Sequence, residues 1–395
     1  MPQPTTPLDR ARGCLLGMAV GDALGAPLEG LSAQQIRVHY DLVVDYVDGA
    51  LAWKKKPYRW RLPGLYSDDT QQALALAEVL LACGRMDLDR LAELYLALSV
   101  PIPGDSFAGA HRGIARSFRK VLDNLERGVS PEQTGQDSAG VGAAVRIAPV
   151  ALYFAGQPEA MAEAAVAASR MTHRDVRSIA GAMAVAHAVR LLAAGAEPAP
   201  SLLFKIAAEV ARAEDKLADD FGDDLSSIDV HRHSVSCSIA HAESLLDRPR
   251  DQALAALVDE ANRHGAEPSC KRPTMGFPPA CIPTCLYLLL TTESLEEALV
   301  EVVNLGGDAD SAGAILGALA GARYGVEAIP ARWLDGLLNL EGIDLRARAL
   351  ARRDANGLAI PDYLETERDL TRRESETRTL LLNQRQGGGD HLKKC

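Results

Sequence analysis

Four glycines recur at every fourth position near the start of the chain, and their spacing restricts the fold more than any other feature of the sequence. They are Gly13, Gly17, Gly21 and Gly25 of the apolar stretch GCLLGMAVGDALGAPLEG (13–30). Residues four apart lie on one face of an α-helix, and a face without side chains lets another helix approach closely. The same spacing favours helix dimerisation in lipid, but this stretch is too short to cross a bilayer and Asp22 interrupts it.

Helical patterns dominate the rest of the chain. Four segments carry apolar residues at three- and four-residue spacing and are rich in Ala, Leu and Glu, namely 70–84, 161–170, 177–195 and 294–305. Ser294 and Glu297 form a capping-box pattern at the start of the last segment. Alternation of β-branched residues is scarce, and only LVVDYVDG (42–49) resembles a short strand. We predict an all-α fold with the functional groups on loops between helices.

One domain accounts for most of the chain. No repeat of fixed period and no clear linker divides residues 8 to about 350, so we predict a single compact helical domain over residues 8–355. Residues 356–395 are a polar C-terminal extension, and 365–395 in particular turn strongly charged. This composition indicates an appended helix or tail that is partly disordered, with fraying or disorder after Gln386.

Composition limits the classes of function. With 395 residues, 47% of them apolar, the chain is long enough for a substantial core. A net charge of −11 without a Lys/Arg-dense half argues against a general nucleic-acid binder. No apolar run is expected to reach the length of a membrane span, since Arg323 ends the longest one, and no signal peptide is recognisable. We expect a soluble, cytoplasmic monomer that binds no membrane.

The seven cysteines are scattered, odd in number and free of any C-x-x-C pair. This usage is typical of reduced thiols in a cytoplasmic protein. Cys270, Cys281 and Cys285 could form a metal site, but their spacing fits no common zinc pattern.

Two acidic clusters each precede an apolar helix. Their members are Ser67, Asp68, Asp69 and Thr70 in the first, and Asp308, Asp310 and Ser311 in the second. Ser, Thr and Asp are preferred N-caps, and acids suit the first turn of a helix, so each cluster has a capping explanation. Two caps account for only two of the acids, however, and four acids would repel one another without a counter-ion. A pair of hard divalent cations, Mg²⁺ or Mn²⁺, would resolve this repulsion.

Other segments contain candidate binding and catalytic residues. Glu29 follows Pro27 in a loop and is a better catalytic candidate than Asp22, although either acid could simply cap a helix or form a salt bridge. The Gly-rich segment 135–154 leads into a predicted helix N-terminus, which favours an anion, although such loops often serve only close packing. Phe277, in a loop rich in Pro and Gly, could stack on an adenine or pack within the loop.

Three histidines and one basic segment could have either a structural or a binding role. His173 in MTHRD could lie at the edge of the core or in a ligand pocket. His231 and His233 resemble a metal-binding pair, but we interpret them as residues of the surface or of a pocket rim. The segment WKKKPYRWR (53–61) is typical of a solvated loop, and its mixture of aromatic and basic residues could also contact an acidic partner or a nucleic acid.

Five motifs of the chain occur in a known order. They are GCLLGMAVGDALGAPLE, PGLYSDDTQQAL, GAAVRIAPVALYF, MTHRD and NLGGDADSAGAILGALAGARYG, and they extend from about residue 10 to about residue 340. In this set the chain resembles the ADP-ribosylglycohydrolases, the dinitrogenase-reductase-activating glycohydrolase superfamily. The resemblance implies an orthogonal helical bundle with a binuclear Mg²⁺ or Mn²⁺ centre that hydrolyses ADP-ribosyl bonds.

The resemblance also implies roles for individual residues. Ser67, Asp68 and Asp69 match the family's Thr-Asp-Asp metal motif, and Asp308, Asp310 and Ser311 match its Asp-x-Asp-Thr/Ser motif. Glu29 matches a glutamate that some members use beside the metals, as a ligand or as an acid/base. Proton transfer to the leaving group would fall to Glu29 or to a metal-binding aspartate, for which Asp69 and Asp308 are the candidates.

The substrate-binding residues implied by the resemblance lie in two motifs. Ser138, Gly140 and Gly142 match the loop that holds the ADP-ribose phosphates, and His173 matches a histidine of the ligand pocket. The chain departs from the family where many members have Gly-Asn-Gly, because it has Val141 between the two glycines. This difference removes a polar group from the expected phosphate loop.

The resemblance implies a metal-dependent hydrolase that releases ADP-ribose from a modified protein or small molecule. We expect ADP-ribosyl-arginine on a protein as the substrate. Serine-linked ADP-ribose, acetylated ADP-ribose and a modified nucleic acid are alternatives, the last of them not favoured. A non-catalytic ADP-ribose-binding relative is a further alternative. A site that no longer catalyses a reaction should, however, have lost at least one of these carboxylates. A phosphoryl-transfer enzyme is excluded in its P-loop form, because no G-x-x-x-x-G-K-[ST] segment is present.

Overall fold

Helices form almost all of the regular structure in the computed structural model, which describes residues 5–53, 56, 59–102 and 109–388, with side chains up to residue 381. The α-helices are α1 (Pro7–Gly25), α2 (Ala33–Tyr40), α3 (Asp68–Cys83), α4 (Leu88–Ser99), α5 (Arg116–Glu126), α6 (Gly142–Val145), α7 (Ala148–Tyr153), α8 (Pro158–Arg170), α9 (Val176–Ala193), α10 (Pro200–Phe221), α11 (Ile228–His231), α12 (Ser234–Glu243), α13 (Arg250–Arg263), α14 (Pro278–Thr291), α15 (Leu295–Asn304), α16 (Ala309–Tyr324), α17 (Ala331–Gly336), α18 (Leu340–Arg352) and α19 (Tyr363–Gly388). Short 3-10 helices lie at Ala26–Leu28, Pro131–Gln133 and Val326–Ala328. Within the described ranges only isolated bridges pair extended backbone, and no strand is formed. The prediction of an all-α fold is confirmed.

The four segments with helical periodicity all lie in helices, namely α3, α8, α9 and α15. Ser294 caps α15, as predicted, because its hydroxyl accepts a hydrogen bond from the Glu297 amide at 3.0 Å. The other half of the predicted capping box is wrong. The Glu297 carboxylate accepts from the Glu293 amide at 2.8 Å, so it satisfies a different unpaired donor at the same helix end.

Residues 42–49, which resembled a strand in sequence, form an extended loop. The side-chain amide of Asn304 takes the place of a partner strand, because it accepts from the Val43 amide at 3.0 Å and donates to the Val43 carbonyl at 2.8 Å. The indole of Trp333 donates to the carbonyl of Val44 at 3.1 Å. Side chains therefore satisfy the backbone groups that a β-ladder would otherwise pair.

Helices α1 and α16 pack against each other through their glycines. The two helices are antiparallel, and Gly13, Gly17 and Gly21 lie opposite Gly321, Gly317 and Gly313. A β-carbon placed at any of these six positions would overlap a backbone carbonyl of the other helix. The glycine spacing therefore does what the sequence predicted: it brings two helix backbones into direct contact at the centre of the core.

Helix α9 corrects one expectation about membranes. Its residues Val176–Ala193 are long and apolar enough to cross a bilayer by length and composition, whereas we expected no apolar run of that length. Of this segment 89% is buried inside the structure, where it packs against α6, α7, α8, α10 and α16. A core helix passes the same test, so the segment is weak evidence for a membrane span.

The predicted C-terminal extension includes a helix that belongs to the packed structure. Helix α19 contacts α3 and α4, and its Glu367, Thr371 and Glu374 are buried. Of the two alternatives for this segment, an appended helix or a tail, the structure shows a helix, and these residues pack it against the domain. The disorder predicted after Gln386 concerns mainly residues 389–395, which lie outside the described ranges.

The contact between α1 and α16 predicts the effect of adding one methyl group. Gly17→Ala should lower the free energy of unfolding by about 1–3 kcal/mol, because overpacking outweighs the roughly 1 kcal/mol that alanine gains over glycine in a helix. Urea unfolding measures this difference. Gly156→Ala is the matched control, since a β-carbon at Gly156 meets nothing within 4 Å. An unchanged or higher stability of Gly17→Ala would contradict the proposed backbone contact.

Candidate active site

The two acidic clusters meet across one cavity of about 240 Å³. Its wall carries Glu29, Asp68, Asp69, Asp308, Asp310 and Ser311. The rest of the wall includes the predicted substrate-binding residues Ser138, Gly140, Gly142 and His173. The structure thus brings together residues that lie up to 282 positions apart, from Glu29 to Ser311.

The first cluster lies at the N-terminus of α3, and other residues provide its caps. The Ser67 hydroxyl accepts from the Asp69 amide at 3.2 Å. Asp22, fully buried on α1, accepts from the Ser67 amide at 2.8 Å and from the amide and hydroxyl of Thr70 at 3.0 and 2.6 Å. Ser67 and Asp22 therefore satisfy the donors of this helix end, and capping does not account for the carboxylates of Asp68 and Asp69.

The second cluster lies at the N-terminus of α16 and is not explained by capping either. Asp308 occupies the N-cap position without accepting a side-chain cap hydrogen bond. Its own amide donates to the Thr274 carbonyl at 3.0 Å. The carboxylate of Asp310 is almost completely buried, and among the described residues its Oδ1 has no hydrogen-bond partner. An orphaned buried carboxylate oxygen indicates a missing positive or hydrogen-bonding partner.

Contacts between the clusters bring the carboxylates close together. The Ser311 hydroxyl of α16 donates to Asp69 Oδ2 of α3 at 2.9 Å. The Gln72 side chain donates to Asp68 Oδ2 at 2.8 Å. Glu29 stands at the more exposed edge, where its carboxylate lies 3.5 Å from the guanidinium of Arg59.

Burial and mutual repulsion make these acids hard to ionise. Burial, followed by the charges of Asp22 and Glu29, raises the pKa of Asp68 to about 7. Burial and the charge of Glu29 raise the pKa of Asp308 to about 6. The pKa values of Asp69 and Asp310 are also raised well above their usual range, by burial first and then by neighbouring carboxylates. Nearby positive charge would reverse these shifts, because it favours the ionised acids.

The donor set fits hard divalent cations. Carboxylate and hydroxyl oxygens are the ligands that Mg²⁺ and Mn²⁺ prefer, and the unpartnered Asp310 oxygen lies among them. No three His, Cys, Asp or Glu side chains of the described residues are grouped closely enough to hold a metal alone. An ion here would therefore take further ligands from serine, water or substrate. The same finding excludes a preformed site from Cys270, Cys281 and Cys285.

The cavity-lining loop that contains Ser138, Gly140 and Gly142 is fixed by hydrogen bonds to its backbone. The Ser178 hydroxyl of α9 lies 2.8 Å from the carbonyls of both Ser138 and Gly140. The Val141 amide donates to the Gly276 carbonyl at 3.0 Å. The loop leads into α6, which has only four residues, so the helix dipole behind it is smaller than the sequence suggested.

A buried arginine, which the sequence analysis did not single out, lies in the same wall. Arg146 is 1% exposed, and its guanidinium donates to Gln72 Oε1 at 2.6 Å and to the hydroxyl of Thr172. In the described part of the chain its hydrogen bonds all go to neutral oxygens. Burial and the charge of Arg146 lower the pKa of His173 to about 3, so this histidine is neutral. An arginine within the apolar segment GAAVRIAPV was the signal that could have identified it.

Several candidates lie outside the cavity wall. Phe277 packs in a small apolar cluster with Ala261, Cys270 and Ala280, and the guanidinium of Arg177 lies 5.3 Å from its ring centre. Phe277 is buried by this packing and does not line the cavity, which matches the alternative of packing within its loop, and its stacking on a bound base stays a prediction. Ser67 does not line the cavity, since its hydroxyl is used as the N-cap.

The histidine pair and the basic segment are also separate from the cavity wall. His231 lies on α11 and His233 follows it, near Glu214 and Asp215. In the segment 53–61 the indole of Trp53 donates to the Pro27 carbonyl at 2.9 Å, and that of Trp60 donates to Asp48. Lys54, Lys55, Pro57 and Tyr58 lie outside the described residues.

The match to a known protein family covers most of the chain. The ADP-ribosylglycohydrolase profile matches residues 3–363. The chain belongs to this family. The relative named ADP-ribosyl-[dinitrogen reductase] glycohydrolase from Rhodospirillum rubrum is 29% identical over 89% of this chain and 95% of the relative. The ADP-ribosylarginine hydrolase Tri1 of Serratia proteamaculans is 26% identical over 87% and 79%, respectively.

A solved structure agrees with this membership. It is described as an ADP-ribosylglycohydrolase-related protein complex, and it superposes with a TM-score of 0.63 and 28% sequence identity. The match covers 88% of this chain and 98% of the other. Membership in the ADP-ribosylglycohydrolase family assigns the chain to the enzymes that hydrolyse ADP-ribosyl glycosidic bonds.

The raised pKa of Asp68 predicts how stability depends on pH without added metal. Its folded pKa of about 7 exceeds the reference value of 3.8, so the folded state binds more protons between these values and stability falls as the pH rises through them. In EDTA, Asp68→Asn should raise the free energy of unfolding by about 1–2 kcal/mol at pH 8, after discounting for its partial exposure, and the gain should shrink towards pH 4.

Urea unfolding at several pH values measures this effect, with Asp251→Asn, an exposed aspartate, as the control. A gain of the same size at pH 4 and pH 8 would show that repulsion among the carboxylates is not its cause.

Proposed function

We propose that the protein is a metal-dependent hydrolase that releases ADP-ribose from ADP-ribosyl-arginine on proteins. The observation that supports this most strongly is the cavity with four aspartates that helix capping does not explain, one of them with an orphaned buried oxygen. Asp68, Asp69, Asp308 and Asp310, with Ser311, would hold two divalent cations. Ser67 would contribute less directly, because its hydroxyl caps α3.

Membership in the family supports the hydrolysis of an ADP-ribosyl bond, and one relative supports the linkage. The Serratia proteamaculans protein is named an ADP-ribosylarginine hydrolase, and it aligns with 87% of this chain. The Rhodospirillum rubrum relative is named for a modified protein substrate, dinitrogen reductase. These names favour arginine on a protein over the serine, acetyl and nucleic-acid linkages.

Two groups of cavity-lining residues suit the two parts of such a substrate. The carboxylates and their cations would receive the ribose whose glycosidic bond breaks, where negative charge stabilises an oxocarbenium-like state. The loop of Ser138, Gly140 and Gly142 would receive the phosphates, and the buried guanidinium of Arg146 adds positive charge to the cavity wall. Bound divalent cations would supply orientation of the sugar hydroxyls and a lowered pKa of the attacking water.

Glu29 is positioned to transfer protons at the edge of this site. It lines the cavity, yet its side chain is 37% exposed, so a proton can exchange with solvent. Its ion pair with Arg59 holds the carboxylate near the mouth of the cavity. Beside Gly140 and Gly142, His173 is neutral and can act as a hydrogen-bonding group without a charge of its own.

The first test is hydrolysis of an ADP-ribosyl-arginine protein with added Mg²⁺ or Mn²⁺. We expect release of ADP-ribose that EDTA abolishes and that the double variant Asp308→Asn/Asp310→Asn loses, because that variant removes two ligands. Asp251→Asn, an exposed aspartate, is the matched control and should retain full activity.

Two other outcomes would change the proposal. Bound metal without release from arginine would redirect it to serine-linked, acetylated or nucleic-acid-linked ADP-ribose, which can be assayed in parallel. Tight metal-independent binding of ADP-ribose with no turnover of any linkage would favour a non-catalytic ADP-ribose-binding protein. Failure to bind any divalent cation would refute the metal mechanism.

A second prediction separates the two roles considered for Glu29. If Glu29 transfers protons, Glu29→Gln should lower kcat by about 10²–10⁴-fold, flatten one limb of the pH–rate profile and leave Mn²⁺ affinity unchanged. Steady-state kinetics and calorimetric Mn²⁺ titration measure these quantities, with the exposed Glu327→Gln as control. A loss of Mn²⁺ affinity would instead show that Glu29 is a metal ligand.

A further inference from the structure

Helix α19 begins where the match to the ADP-ribosylglycohydrolase family ends, at residue 363. It nevertheless buries a row of polar side chains that are four residues apart, Tyr363, Glu367 and Thr371. Residues at this spacing lie on one face of a helix. A polar face that is buried must find hydrogen-bonding partners, and here these lie in two segments next to the cavity.

Glu367 is the centre of this network. Its carboxylate accepts from three side chains: the Tyr66 hydroxyl at 2.5 Å, Gln71 Nε2 at 3.0 Å and Arg112 Nη2 at 2.6 Å. The side chains of both Glu367 and Arg112 are completely buried. Arg112 also donates to the Tyr66 carbonyl and to the Thr371 hydroxyl, each at 3.0 Å.

The network continues directly into the candidate metal site. The amide of Asp68 donates to the Arg112 carbonyl at 2.7 Å, and the amide of Arg112 donates to Gln71 Oε1 at 2.9 Å. Gly113, the next residue after Arg112, lines the cavity. The backbone of Asp68 is thus hydrogen-bonded to the backbone of Arg112, and the guanidinium of Arg112 is hydrogen-bonded to Glu367.

Stability alone gives no reason for a charged pair at this place. Well-packed apolar residues usually stabilise a core as well as a buried ion pair does, whereas removing one partner leaves a buried charge uncompensated. A fully satisfied polar network instead holds its members in one geometry. Groups that orient metal ligands typically change metal affinity or activity 10–100-fold when they are replaced.

We propose that Glu367 is a positioning residue that holds Asp68 in place through Arg112, so that α19 is part of the active site. The inference rests on the proposed function in one respect, that Asp68 binds a cation. It extends the site to a residue beyond the region that the family match covers.

The test compares Glu367→Gln with Glu376→Gln in the full chain. Glu376 lies on the same helix and is exposed, so its variant should behave as wild type. In Glu367→Gln we expect Mn²⁺ affinity, measured by calorimetry at a temperature where the variant is folded, to fall about 10–100-fold. Hydrogen exchange should increase at residues 66–72 and 110–113 while the amides of α1 and α16 stay protected.

The inference can still be tested if Glu367→Gln does not fold or if the wild-type protein binds no Mn²⁺. If Glu367→Gln does not fold, Thr371→Val serves instead. It removes only the hydroxyl that accepts from the Arg112 guanidinium and donates to the Ala110 carbonyl, leaves the Glu367–Arg112 ion pair in place, and should weaken Mn²⁺ binding about threefold to tenfold. If the wild-type protein binds no Mn²⁺, the proposed function fails. Hydrogen exchange at the amides of residues 66–72 then still tests whether Glu367 holds the backbone of Asp68 in place. A folded Glu367→Gln variant with wild-type Mn²⁺ affinity and wild-type exchange would overturn the inference.

Discussion

The direct backbone contact between α1 and α16 determines where every other part of the site lies. Because the helices are antiparallel and no side chain separates them, the end of α1 lies beside the start of α16, where Gly25 meets the Ala309 carbonyl. Asp22 on α1 and Asp310 on α16 therefore stand on neighbouring helices near one cavity. A side chain at the contact would force the helices apart, and the distance between the acidic residues would change with them.

This packing brings together more carboxylates than are needed to cap the helices. Asp22 does have a structural role, because it accepts three hydrogen bonds from the start of α3. Asp68, Asp69 and Asp310 have no comparable role in capping, and burial raises the pKa of each. A protein that gathers such groups loses stability unless something compensates the charge. The cavity is thus a place where the sequence breaks a rule of stability, as functional sites often do.

The sequence predicted what depends on local pattern and missed what depends on distant partners. Helical periodicity located α3, α8, α9 and α15, and the density of acids located the cavity, because both signals lie within a few adjacent residues. The partners of Asn304 and Phe277 are remote in sequence, so local pattern could not show that 42–49 forms a loop or that Arg177 lies against the Phe277 ring. Arg146 was missed for a related reason, since the role of one arginine in an apolar segment depends on partners elsewhere in the chain, here Gln72 and Thr172.

Composition allowed an appended helix at the C-terminus, but it did not show that this helix, α19, packs against the domain. A polar, charged segment suggests a solvated tail, because burial usually requires apolar residues. Here the buried face is itself polar, and its partners Tyr66, Gln71 and Arg112 lie about 300 to 250 residues earlier. Neither hydropathy nor motif matching registers a face of this kind, since each of its residues is stabilised only by specific hydrogen bonds. The family motifs therefore describe the groups that face the cavity, whereas the rigidity of Asp68 depends on a helix outside them.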